Sequence, residues 1–168
     1  MDNGVDLIAK LMTISATTAP KAEDLSFVEI QPLDEAEKEI LVEELFQMAE
    51  EDEEYSHIGE IISESDKVML LGLEEHPPFG LDCKACGFKD CLEFSKVKTE
   101  YIFQGPNCVY RILDLGIAIG SALKTADAHN VRADILIKAG LAAKHIGLST
   151  SNIVMAVPIY IQGSDSFF

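Results

Sequence analysis

The chain has 168 residues, 48% of them hydrophobic, which suits one domain with its own core and excludes a disordered chain. A net charge of −16 argues against a nucleic-acid partner, because phosphate contacts need clustered cations. No stretch reaches the ~18 apolar residues of a membrane span, and no leader peptide is read at the start, so a cytoplasmic protein without a membrane partner is expected.

Residues 2–15 carry Val5, Leu7, Ile8, Leu11, Met12 and Ile14 at near-helical spacing, and Pro20 disfavours helix at Ala19. Phe27–Ile30 reads as a short strand closed by Pro32. Asp34, with Glu37 three residues on, has the form of a capping box. It predicts one amphipathic helix to about Glu54 with Ile40, Leu41, Leu45 and Met48 on its apolar stripe. Ile58, Ile61 and Ile62 suggest a short helix, and the apolar run Val68–Leu73 a buried strand.

The acidity is concentrated here: residues 23–75 hold 19 Asp or Glu against two Lys. A solvated face accounts for it, and a docking face for a partner is the alternative.

The chemistry lies downstream. The four cysteines are Cys83, Cys86, Cys91 and Cys108, a C-x2-C-x4-C-x16-C array within residues 80–110. Four thiolates on one segment are what an iron–sulfur cluster requires, and the compact first three favour 4Fe–4S over 2Fe–2S. Gly87 would let backbone amides approach the cluster without a side chain intervening. Zinc is the competing metal, although zinc ribbons usually show two close C-x2-C pairs. A disulfide fits a cytosolic chain poorly. Cys91 is expected at the start of a short helix, with free amides favouring a thiolate. Lys84, Lys89, Lys96 and Lys98 beside it offer a surface for an acidic redox partner protein.

A long apolar helix is predicted from Cys108 to Ala128. Gly116 and Gly120, one turn apart, suggest tight packing against another backbone, and Asp114 needs a partner, with Arg111 at i−3 the candidate. Residues 134–146 read as another helix. Asn152–Ile161 reads as a final strand that Pro158 would place at an edge or a bulge. His57, His76, His129 and His145 show no ligand spacing, and no Walker loop, G-x-G-x-x-G or G-x-S-x-G is present.

Cys83-x-x-Cys86-Gly87-x-x-x-Cys91, then Cys108 and Asp114-Leu-Gly-Ile-Ala-Ile-Gly-Ser-Ala122, together with Thr18–Ala22, resembles an uncharacterised family of ferredoxin-domain proteins found mostly in anaerobic bacteria and archaea. The cysteine spacing is also similar to the 4Fe–4S module of corrinoid iron–sulfur proteins, where proline commonly follows the last cysteine and Val109 stands here.

The order of elements looks like the nitroreductase fold, usually a flavin-binding homodimer. That likeness implies an α+β single domain over 1–168, nitroreductase-like helix and sheet layers with an inserted Cys-rich loop, and a homodimer. It also raises bound FMN, but where the flavin-phosphate motif should carry arginines this chain has Thr17, Thr18 and Lys21. The expectation is an iron–sulfur protein for electron transfer or redox sensing. A flavin-dependent oxidoreductase and a zinc-stapled interaction protein are the alternatives.

Overall fold

A computed structural model describes residues 2–22 and 26–161; Glu23 and Asp24 of the acidic region lie outside it. Its centre is a pair of antiparallel strands, β2 (Lys67–Leu73) and β6 (Ile153–Tyr160), in register from Lys67 opposite Ile159 to Leu73 opposite Ile153. Strand β1 (Val28–Pro32) pairs with the outer side of β2, and the two-residue β5 (Arg132–Ala133) with the outer side of β6.

Side chains alternate across a strand, so an apolar run such as Val68–Leu73 must be covered on both faces. Met69, Leu71 and Leu73 face a core shared with α1 (Asp2–Thr17) and α5 (Val109–Ala128). Val68 and Leu70 face a second core, closed by α2 (Glu35–Met48), α3 (Glu54–Glu64) and α6 (Ile137–His145). The result is an α+β fold of three layers. A short helix α4 (Cys91–Phe94) and a small hairpin of β3 (Thr99–Glu100) and β4 (Gln104–Gly105) belong to the cysteine segment.

The capping box forms: Glu37 N donates to Asp34 Oδ1 at 2.8 Å and Asp34 N to Glu37 Oε2 at 2.8 Å. The helix it opens stops at Met48 rather than Glu54. Adjacent acids at 50–54 repel one another, and Asp52 instead turns the chain by accepting Glu54 N at 3.1 Å. Lys138 of α6 then bonds both carboxylates, which holds the turn on the body of the protein.

Three further expectations are corrected. Pro158 is not on an edge strand, since β6 lies between β2 and β5. Its carbonyl accepts Asp134 N, but its nitrogen, facing the same side, has no hydrogen to return, so the pairing lapses after Ala133 and resumes in the same register at Leu136 opposite Ala156. Ile135 and Leu136 precede α6, because Leu136 exchanges backbone bonds with Ala156. Among the described residues nothing packs on Gly116 or Gly120: a methyl group on either would meet open space. They share an exposed strip of α5 with Leu113 and Ile117.

Candidate metal centre

Strand β2 carries the chain into the cysteine loop from the middle of the sheet. Between Glu74 and Asn107 only Phe94 is buried, so the loop is shaped by turns and polar locks rather than by a core. Gly80, Asp82, Lys84 and Gly87 all take left-handed backbone angles, with φ of 86°, 47°, 61° and 85°. Gly87 adopts that conformation without strain, while Asp82 and Lys84 each carry a penalty of about 1–2 kcal/mol.

Asp82 Oδ1 accepts the Cys91 amide at 2.8 Å, closing the loop from its first cysteine to its third. Asp90 caps α4 by accepting Glu93 N at 2.7 Å, and Glu93 Oε2 accepts Lys89 N at 2.8 Å. The amides of Cys91 and Glu93 at the start of α4 are therefore committed to carboxylates, contrary to the expectation that they are free for the thiolate. Phe88 packs edge-on to Phe94 at 5.6 Å between ring centroids and fastens α4 to the loop.

Cys108 sits differently. It is buried and occupies the residue before α5, with Ile112 N bonded to its carbonyl at 3.0 Å. Its own N–H donates to Nε2 of His76 at 3.1 Å, which leaves the ring proton on Nδ1, 2.8 Å from the Glu74 carbonyl. Burial holds His76 below the ordinary histidine range, so the ring is neutral and the acceptor is present at neutral pH. No residue spacing marks this role: the contact spans 32 positions and joins a side chain to a backbone amide.

Behind Cys108, one turn along α5, Arg111 is 3% exposed, with its guanidinium 4.8 Å from the Phe27 ring and 5.1 Å from that of Phe79. Asp114 is its partner as expected, at 3.8 Å, and accepts the Ala22 amide at 2.9 Å.

All four cysteines are free thiols and line one small hollow, walled by Pro78, Phe79, Leu81, Phe88, Phe94 and Val109. Cys83 is exposed, Cys86 and Cys91 are half-buried, and Cys108 is buried. So the structure brings together every sequence-predicted ligand, with Gly87 on the loop between the second and third. Among the described residues, no three or more His, Cys, Asp or Glu side chains converge closely enough to grip a single metal ion.

The position expected to bind a flavin phosphate offers little. The Lys21 ammonium donates to the carbonyls of Ala16, Thr17 and Ala19 at 3.1, 2.8 and 3.1 Å, which uses all three of its donors on the end of α1. Among the described residues, no helix is long and apolar enough to cross a membrane.

A protein of Archaeoglobus fulgidus, itself described as uncharacterized, is 36% identical over 99% of this chain and 92% of its own length. The signature of uncharacterized proteins containing a ferredoxin domain (DUF2148) matches residues 104–168. The chain belongs to this ferredoxin-domain family. Of the four cysteines, only Cys108 lies within the matched stretch.

Solved structures extend the likeness to the fold. A BluB-like flavoprotein from Clostridium difficile superposes with a TM-score of 0.62 at 12% identity, covering 95% of this chain and 82% of that one. A Bacteroides thetaiotaomicron protein described as a putative NADH dehydrogenase/NAD(P)H nitroreductase gives 0.57 at 12% identity, covering 94% and 74%. Nitroreductase A from Vibrio parahaemolyticus gives 0.56 at 10% identity; 94% of this chain spans 58% of that one. The fold is thus the nitroreductase type, with the Cys-rich segment leaving its central strand.

Proposed function

We propose that this chain is an iron–sulfur protein for electron transfer or redox sensing in the cytoplasm, with Cys83, Cys86, Cys91 and Cys108 as ligands to a 4Fe–4S cluster. The observation that carries the reading is the meeting of all four thiols, from a loop, a short helix and the start of α5, at one hollow with apolar walls. Family membership supports it. The cysteine spacing favours a cluster over zinc, because zinc ribbons usually show two close C-x2-C pairs and this chain has one.

A bound cluster supplies one-electron exchange at low potential. The chain's own parts supply the setting. His76 fixes the Cys108 amide, Asp82 fixes that of Cys91, and Phe79, Phe88 and Phe94 give the hollow apolar walls. Gly87 takes its left-handed backbone without strain, which lets the loop wrap. Exposed Lys84 and Lys89 suit an acidic redox partner protein. The exposed α5 strip of Leu113, Gly116, Ile117 and Gly120 suits a second copy of the chain, hence a homodimer.

The test is iron, acid-labile sulfide and zinc per chain after purification without oxygen, with absorption spectra before and after dithionite. Near-equal iron and sulfide with bleachable visible absorbance is the expected result. Zinc without sulfide would overturn it.

A flavin-dependent oxidoreductase is the second reading, favoured by the fold it shares with a flavoprotein. The commitment of Lys21 to the end of α1 counts against an FMN phosphate there. Release of yellow fluorescence on acid treatment would reverse that order.

A further inference from the structure

Helix α5 starts after Cys108, and its first two charged side chains, Arg111 and Asp114, follow one turn apart. Both are buried, at 3% and 4% exposed. Taking a charge out of water is expensive. A cation is disfavoured further at the start of a helix, where the macrodipole is positive. No acid stands in the first turn of α5, and the Cys108 side chain makes no cap there. Helix electrostatics alone would place an acid at this position, and the chain has an arginine.

That arginine points toward the thiols. Helical side chains lean toward the N-terminus of their helix, so Arg111 reaches back toward Cys108, and Asp114 reaches back to within 3.8 Å of Arg111. The guanidinium lies 5.1 Å from the ring of Phe79, which also walls the cysteine hollow. Its charge is felt at His76, the residue that holds the Cys108 amide. Burial first, and the Arg111 cation in addition, keep that ring below the ordinary histidine range. Arg111 and Asp114 thus form an oriented pair, its positive end toward Cys108 and in line with the positive end of α5.

We propose that Arg111 sets the reduction potential of the centre held by Cys83, Cys86, Cys91 and Cys108, its buried cation favouring the reduced state, which carries one more electron. The inference rests on the iron–sulfur reading. Arg111 is not a ligand and acts through its charge alone; the electron comes from an external reductant and no bond of the chain is made or broken. Lys84 and Lys89 are exposed, so solvent and salt screen them and they contribute less.

The test is a dye-coupled redox titration of the anaerobically purified full chain, with iron and sulfide counted on every sample. A unit charge about 12 Å away in an effective dielectric of about 20 changes a one-electron equilibrium roughly tenfold, which is about 59 mV. Arg111→Met is expected to lower the potential by that amount, while Arg111→Lys, which keeps the charge, stays within about threefold of the parent. Asp114→Asn removes the anion one turn farther from Cys108 and raises the potential, by about threefold. Loss of packing alone gives no such reversal of sign. Because each single substitution leaves its partner's charge buried, the double variant Arg111→Met with Asp114→Asn is measured as well. It removes the pair together, and the nearer charge prevails, lowering the potential about threefold.

The proposal is overturned if Arg111→Met or the double variant keeps the parent's potential with iron and sulfide intact. It is also overturned if Asp114→Asn lowers the potential, or if Lys89→Met shifts it as far as Arg111→Met. A parent chain without iron and sulfide would overturn the cluster reading and this one with it, a result that the metal count tells apart from the others.

Discussion

Strands β2 and β6 give up nearly every side chain to one of two cores, whereas the 34 residues from Glu74 to Asn107 bury one, Phe94. The sheet is held by area: each fully buried Leu or Ile contributes roughly 1.5–3 kcal/mol. The cysteine segment is held by point contacts from Asp82, Asp90, Glu93, His76 and Asn107, each worth about 0.5–1.5 kcal/mol net. A bound metal group is therefore expected to hold the loop's shape, while the sheet forms without it. Substitutions should separate the two regions.

The largest effect is expected at the thiols. Cys108→Ala should reduce iron and sulfide to less than about a tenth of the parent while the far-ultraviolet circular dichroism of the sheet and long helices is kept. A variant that retains full iron would remove Cys108 from the ligand set.

Leu71→Ala, in the sheet, should do the reverse. It costs about 2–5 kcal/mol in urea denaturation, with iron per folded chain unchanged. If iron were lost in proportion to stability, loop and sheet would be one cooperative unit and the contrast would fail.

Asp82→Ala removes one lock, about 1 kcal/mol, and should weaken iron retention against a chelator roughly fivefold without moving the melting temperature.

The smallest effect is at Gly116. Gly116→Ala meets open space in the monomer and should raise its stability by up to about 1 kcal/mol. If a second copy packs on this strip, the added methyl instead weakens the dimer, and sedimentation at several concentrations separates the two results.

What could be read from the sequence divides along the same line. Val68–Leu73, the Asp34–Glu37 box and the long helix after Cys108 were legible because hydrophobic period and capping are local signals. The four thiols were legible from spacing, and so was the Arg111–Asp114 pair, since i,i+3 contact is built into a helix. His76 and Asn152 were not. Each acts across more than 30 positions, His76 on a backbone amide and Asn152 on the Asn107 side chain, contacts with no periodicity to detect. Gly116 and Gly120 misled because glycine spacing reports the possibility of close approach, and among the described residues nothing approaches. Pro158 misled because an inner strand can give up one ladder bond: the pairing stops at Ala133 and resumes at Leu136.

Helix α5 sets how this sequence can change length. Cys108 precedes its first turn, Arg111 and Asp114 occupy the next, and Leu115, Ala118, Ile119 and Ala122 continue into the core. One residue inserted between Cys108 and Asp114 would turn the thiol about 100° away from the face that the core fixes. The stretch from Lys96 to Tyr101, exposed throughout, imposes no such phase. Related chains should therefore vary in length between the third and fourth cysteines and keep a constant count from the fourth to the buried aspartate.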